Sequence, residues 1–222
     1  MSDRVIAIGD IHGCSKALNA LIRAIQPAPT DLIVTLGDYI NRGPDSRGVL
    51  DALIRLGERC RLVSILGNHD EMLLRSRTSQ PAAVEAIPLA EPRSGKPQRD
   101  WGRALSTLTG ENIAFLEGCV DHHETKTHIF LHASYDPALP MDRQPASLLR
   151  WQSLRRGLPG PHVSGKTVIA GHTAQKNGEI LDLGYLKCID TYCYGGGWLT
   201  ALEVCSGEVW RADAQGRVPS RP

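Results

Sequence analysis

Five times along the chain a short apolar run, usually closed by glycine, hands over to a side chain that can bind a cation: Asp10 and His12, Asp38, Asn68, His132, and His172. Asp38 is the most telling. Leu32 to Leu36 reads as a buried strand, and Gly37 then delivers a carboxylate to the rim of a core, where a lone charge is costly without a cation. Arg42 could meet it from within the protein, and a metal is the other answer. Two carboxylates, three imidazoles and one amide oxygen form a mixed hard and borderline donor set that suits Mn²⁺, Fe or Zn²⁺ better than Ca²⁺ or a thiolate site. Six donors are too many for one tetrahedral zinc with an open position. Two ions about 3.5–4 Å apart, sharing one carboxylate, would use them all. A single buried histidine is more often a satisfied core residue than a ligand, so the weight rests on the joint recurrence. His122 and His123 follow no such pattern and read as surface or strand-edge residues.

The elements that must position these groups can be followed in order. Val5 to Ile8 reads as a strand, and Ser15 opens a helix carrying Leu18, Leu21, Ile22 and Ile25, ended by Pro27 and Pro29. Leu32 to Leu36 is followed by a second helix from Ser46 with Val49, Leu50, Leu53, Ile54 and Leu56 on one face, and Arg61 to Leu66 forms a third strand. Strand–helix repetition predicts an α/β layered domain with its site at the C-terminal ends of the strands. The proline-broken stretch 75–110, with a helix candidate over 101–108, reads either as a cap over the site or as a solvated excursion. Beyond it, strands are expected at 128–132, 167–170, 180–183, 188–191, 198–204 and 208–212. Strands outnumber helices there, which predicts an antiparallel or mixed second sheet packed on the first.

The whole chain, 1–222, reads as one domain of 24.2 kDa. With 25 basic and 24 acidic residues well mixed, no electrostatic footprint points to nucleic acid or an anionic membrane. The six cysteines form neither a CxxC pair nor a disulfide framework, and no apolar stretch approaches the ~20 residues needed to span a bilayer. A cytoplasmic protein is the expectation.

The runs Gly9-Asp10-Ile11-His12-Gly13, Gly37-Asp38-Tyr39-Ile40-Asn41-Arg42-Gly43 and Gly67-Asn68-His69-Asp70, with His132 and Gly171-His172, resemble the motif series of the calcineurin-like metallophosphoesterases. Within these the chain is similar to the phosphoprotein phosphatase family, which includes bacterial serine/threonine phosphatases and symmetrical diadenosine tetraphosphatases. The motifs span residues 5 to 173. The resemblance implies a β-sandwich of two mixed sheets with α layers. It further implies that Asp10 and His12 hold one metal, Asp38 bridges, and Asn68, His132 and His172 hold the other, with Mn²⁺ favoured and Fe or Zn²⁺ as alternatives. The nucleophile it implies is a metal-bridging hydroxide, attacking phosphorus in line. His69 then resembles the family's general acid, and Arg42 would clamp phosphate oxygens with its planar fork. A second arginine is expected from Arg150 or Arg155, and Tyr192 and Tyr194 would line the cleft for substrate.

One departure matters. Protein phosphatases of this family carry aspartate where this chain has Asn41, and the tetraphosphatases lack it as well. That departure leans toward the tetraphosphatases; the leading expectation from the resemblance as a whole is a phosphoric monoester hydrolase of the serine/threonine phosphatase type, with a symmetrical bis(5'-nucleosyl)-tetraphosphatase as the alternative. Its substrate partner would be a phosphorylated protein or a small phosphate ester. A non-catalytic, phosphate-binding member is the reading from a different class.

Overall fold

A computed structural model describes residues 3–78 and 106–219. Two five-stranded mixed sheets pack face to face with helices on their outer sides, the α/β sandwich that the sequence implied. In the first sheet β1 (Val5–Ile8), β2 (Leu32–Thr35) and β3 (Arg61–Ser64) run parallel, joined by α1 (Ser15–Ile25) and α2 (Ser46–Gly57). In the second, β5 (His128–Leu131), β6 (Thr167–Ala170) and β8 (Leu186–Cys188) form the parallel centre. The antiparallel strands β4 (His122–Glu124) and β7 (Leu181–Asp182) close its two edges. His122 and His123 thus lie on an edge strand.

Strand periodicity sorts the core into layers. Ala7, Val34, Phe130 and Ile169 point between the sheets and pack with Ile65, Ile189 and Leu202. The alternate residues Ile6, Ile8 and Ile33 face α1 and α2, meeting Leu18, Leu21, Leu50 and Leu53. On the far side Ile129, Leu131 and Val168 meet Leu149 and Leu154.

Four expectations are corrected. The last two strands, β9 (Leu199–Glu203) and β10 (Val209–Ala212), do not extend the second sheet; β9 crosses back to pair antiparallel with β1. All five residues of β9 are buried, and the pairing covers an edge of the parallel centre that would otherwise expose unpaired amides. The cap of α1 is Cys14, with no side-chain bond; Ser15 Oγ donates instead to Asp45 Oδ2 (2.6 Å). The cap of α2 is Asp45, whose carboxylate accepts from Gly48 N (2.9 Å), because the Ser46 hydroxyl is taken by the Asn41 amide (2.9 Å). The segment 188–191 also differs: its strand ends at Cys188, and Ile189 and Asp190 begin a turn.

Three further helices complete the described chain: α3 (Asn68–Thr78), α4 (Gly110–Glu117) and the short α5 (Ala146–Trp151). Residues 79–105 of the expected 75–110 cap, and with them most of the 101–108 helix candidate, lie outside the described residues, while 75–78 finish α3. Among the described residues no helix is long and apolar enough to cross a membrane.

Candidate metal centre

The parallel strands of both sheets end at one edge, and their C-terminal loops converge there. The loop after β1 brings Asp10 and His12, the loop after β2 brings Asp38, and β3 runs into Asn68 at the start of α3. From the second sheet β5 delivers His132 and β6 delivers His172. The loops are pressed so closely that a side chain on some glycines would not fit. A Cβ on Gly171 would lie 2.1 Å from Asp10 Oδ1, and one on Gly67 2.3 Å from Asp38 Oδ1. The backbone is also bent into an uncommon conformation at the site. Seven described non-glycine residues have positive φ, and six of them (His12, Asp38, Asn41, Arg42, His172 and Tyr192) are in these loops; such conformations cost on the order of 1–3 kcal/mol each.

Backbone carbonyls fix which ring nitrogen of each histidine is left to bind. His12 Nδ1–H donates to Ile40 O (3.1 Å), His132 Nδ1–H to Leu36 O (2.7 Å) and His172 Nε2–H to Trp151 O (3.2 Å). The opposite nitrogens are then lone-pair acceptors, and they face one another. His132 Nε2 lies 3.1 Å from Asn68 Oδ1, His172 Nδ1 lies 3.0 Å from the same oxygen, and the two nitrogens are 3.2 Å apart. Three acceptors, those of buried Asn68 and His132 and of half-buried His172, meet with no proton among them, a geometry that calls for a cation. Asp38 adds its charge, with Oδ1 3.6 Å from His132 Nε2 and Oδ2 3.3 Å from His12 Nε2.

Two groups of prospective ligands result, Asp38–His132–His172 and His12–Asp38–His69, each with ligand atoms within 4.8 Å of one another. They share Asp38, as a bridging carboxylate requires. Asp10 joins neither group here, and both of its oxygens accept from the His172 amide (3.0 and 3.1 Å). His69 stands with His12 and Asp38 instead, with its own amide donating to Asp38 Oδ1 (2.9 Å).

Burial drives the site's acids and bases toward neutrality together. It pushes Asp38 up to about 7 and holds Asp10 well above the usual carboxylate range, the charge of Asp190 adding to both. It drives His12 and His172 down to about 3 and His132 to about 4. A divalent cation reverses the acid shifts and uses the base shifts, since it favours ionised carboxylate and unprotonated imidazole alike. The donor set therefore fits the metals that the residue types implied.

Around this centre stand the other expected residues. His69 packs edge-on to His12 (4.9 Å between ring centroids); its Nδ1 faces Asn41 Nδ2 and its Nε2 faces Arg42 Nη2, each at 3.4 Å. Burial holds His69 well below the usual imidazole range. The Arg42 guanidinium lies 4.8 Å from the centroid of Tyr194, which itself sits edge-on to His12 at 4.7 Å, and Tyr192 packs on Tyr194 at 4.8 Å. Arg155 is exposed and donates to Ala174 O (2.5 Å). Arg150 is differently placed: its two terminal nitrogens are held by Glu71 Oε1 and Asp121 Oδ1, both at 2.5 Å.

Two residues of the site, Asp190 and the motif residue Asp70, were given no role from the sequence. Asp190 follows β8, the third parallel strand of the second sheet; it is buried, and that burial raises it to about 6. Its signal was present, a carboxylate just after an apolar run, but no glycine separates it from Ile189. Asp70 is fully buried and accepts from Gly67 N (3.1 Å) and Tyr39 N (3.1 Å), which ties the loop after β3 to the loop after β2.

A strand-end centre with two cation positions and one shared carboxylate belongs to a recognisable class of phosphate-ester chemistry. Residues 3–176 match the family described as calcineurin-like phosphoesterase, and the chain belongs to that family. Over 163 residues it is 33% identical to serine/threonine-protein phosphatase 1 of Salmonella typhimurium, an alignment covering 67% of this chain and 62% of that protein. Over 92 residues it is 41% identical to the symmetrical bis(5'-nucleosyl)-tetraphosphatase of an Acidovorax species, covering 39% of this chain and 32% of the relative. The chain thus spans less than two thirds of the length of these curated relatives. A crystal structure of a candidate diadenosine tetraphosphatase superposes with a TM-score of 0.72 at 25% identity, covering 96% of this chain and 94% of that one.

Proposed function

We propose that the protein is a metal-dependent phosphoric monoester hydrolase of the serine/threonine phosphatase type. The observation that carries this reading is the meeting of Asn68 Oδ1, His132 Nε2 and His172 Nδ1 as three mutually facing acceptors beside the shared Asp38. Asn68, His132, His172 and Asp38 would hold one divalent ion; Asp38, His12 and Asp10 would hold the second once Asp10 turns from the His172 amide. Such a pair, with Mn²⁺ favoured, would supply an activated water and neutralise phosphate charge. Arg42 presents a fork suited to two phosphate oxygens, steadied by the Tyr194 ring beneath it. Asn41 Nδ2 and Arg42 Nη2, both donors, face the two ring nitrogens of His69; once a phosphate draws Arg42 away, the Asn41 contact would leave the ring proton of neutral His69 on Nε2, the nitrogen that would protonate the leaving oxygen. Arg155 is the better second clamp, since Arg150 is already engaged on both arms. Tyr192 and Tyr194 would flank the substrate.

A second reading, a symmetrical bis(5'-nucleosyl)-tetraphosphatase, is favoured by Asn41. An amide can orient His69 but cannot stabilise the imidazolium that a poor leaving group demands, whereas an anhydride leaves easily. All six cysteines are free thiols, which supports a reducing, cytoplasmic setting. The test is hydrolysis of an aryl phosphate with Mn²⁺ and with EDTA, followed by a phosphoserine peptide against diadenosine tetraphosphate. Peptide turnover well above that of the dinucleotide supports the first reading, and the reverse order selects the second. Inertness toward all three, with metal bound, would leave a phosphate-binding protein.

A further inference from the structure

We infer that Glu71 and Trp151 are positioning residues that set the angle of the His172 ring, and with it the affinity of one of the two metal positions. Glu71 lies three residues past Asn68 on α3 and is 6% exposed. Its Oε1 accepts from Arg150 Nη1 (2.5 Å) and Arg75 Nη2 (2.7 Å), while its Oε2 accepts from the Trp151 indole Nε1–H (2.6 Å). The main-chain carbonyl of that same Trp151 receives His172 Nε2–H (3.2 Å), and His172 Nδ1 returns to Asn68 Oδ1 (3.0 Å). A closed circuit results: Asn68, one turn of α3, Glu71, the indole, the Trp151 carbonyl, His172, and back to Asn68.

Two features separate positioning from simple ion pairing. Arg75 and Arg150 already neutralise Glu71, so the indole adds nothing to charge balance, and its bond serves geometry. The Trp151 carbonyl is also the last of a six-residue helix, and terminal carbonyls have no partner within their helix. It is therefore free to accept from His172, but its direction depends on what restrains the residue. The indole bond to Glu71 supplies that restraint. The preceding turn is fastened to the loop of the other histidine ligand, where Ala133 N donates to Leu149 O (2.7 Å). Partners of this kind orient metal-binding imidazoles, and their loss weakens metal affinity by roughly 10–100-fold.

The inference rests on the metal-centre reading above, and the test keeps the two apart. Mn²⁺ is titrated into the metal-free full chain, with free Mn²⁺ followed by electron paramagnetic resonance, for wild type, Trp151→Phe and Glu71→Gln. Trp151→Phe keeps an aromatic ring and the backbone carbonyl but removes the indole N–H together with part of the ring volume, and Glu71→Gln leaves Trp151 whole as the companion variant. Wild type should bind two ions. Trp151→Phe should bind one of them roughly 10–100-fold more weakly and the other unchanged, a one-sided loss that general loosening from the missing ring volume would not give. Glu71→Gln should weaken the same ion. Two unchanged affinities in Trp151→Phe, or equal weakening of both ions, would overturn the positioning role while leaving the metal centre intact. Absence of Mn²⁺ binding by wild type would overturn both.

Discussion

Replacing Asn41 with aspartate changes one atom type at the point where His69 is held, and its consequence can be worked through. In the structure Asn41 Nδ2 is 3.4 Å from His69 Nδ1, while Asn41 Oδ1 accepts the Arg42 amide (3.3 Å). A carboxylate there would accept from Nδ1 instead, so the ring would keep a proton at Nδ1 and could gain a second at Nε2. Two unit charges 3.4 Å apart interact by ~5 kcal/mol at an effective dielectric of about 20, which is a ceiling. Asn41 is only half-buried and Arg42 beside it is exposed, so a rise of about 1–2 pKa units, or about 1.4–2.7 kcal/mol, is the expected yield. The burial that holds His69 low in the native protein is thereby partly offset. Imidazolium is a far better acid than imidazole, and the gain matters only where the leaving oxygen is strongly basic. Steady-state kinetics with Mn²⁺ should show kcat/KM rising about 10–50-fold on a phosphoserine peptide and less than about 3-fold on p-nitrophenyl phosphate. The alkaline limb of the peptide profile should move upward by about 1–2 pH units. Equal effects on the two substrates would refute the assignment of His69 as proton donor.

Proton competition gives a second expectation. Because Asp38 titrates near about 7 without metal while the imidazoles of His12 and His172 titrate near about 3, the carboxylate, and not the histidines, must lose a proton on binding. Mn²⁺ affinity should therefore rise from pH 5.5 to pH 8 on the order of 10-fold or more, with proton release; a flat calorimetric profile would contradict the raised carboxylate. Mn²⁺ at about 100 times Kd should add ~2.7 kcal/mol for each ion bound, moving Tm by about 5–11 °C per ion for a chain of this size, and scanning calorimetry with EDTA as reference reads it directly. Gly171→Ala places a Cβ where Asp10 Oδ1 now lies, at 2.1 Å. Activity on an aryl phosphate should fall by about 100-fold or more while far-ultraviolet circular dichroism stays native, and an active variant would show that this loop can yield.

How much of this was legible in the chain depended on whether the signal was local. Asp10, Asp38, Asn68 and His172 each follow an apolar run and a glycine, so strand, turn and donor could be read together, and His132 follows its strand directly. Asp190 obeys the same logic without the glycine, and Ile189, which packs between the sheets, made the run look like unbroken strand. The caps of α1 and α2 were each misplaced by one residue, because Ser15 and Ser46 spend their hydroxyls on Asp45 and on the Asn41 amide. Those are contacts between loops, and no local pattern records them. The partnership of Glu71 with Trp151 spans 80 residues, and β9 returns to β1 across nearly the whole chain. Separations of that length are resolved only by folding. Arg150 and Arg155 could not be ranked from the sequence for the same reason, since acidic partners for Arg150 come from α3 and from Asp121.

The left-handed residues crowded at the strand ends carry a consequence for anyone who would engineer this molecule. Glycine at His12, Asp38, Asn41, Arg42, His172 or Tyr192 would relieve the backbone, so a screen that rewards heat tolerance alone will drift toward erasing the groups that give the centre its purpose. Robustness and reactivity pull this rim in opposite directions, and a hardier variant is better sought at Gln26, the one described left-handed non-glycine residue that sits at a plain helix end.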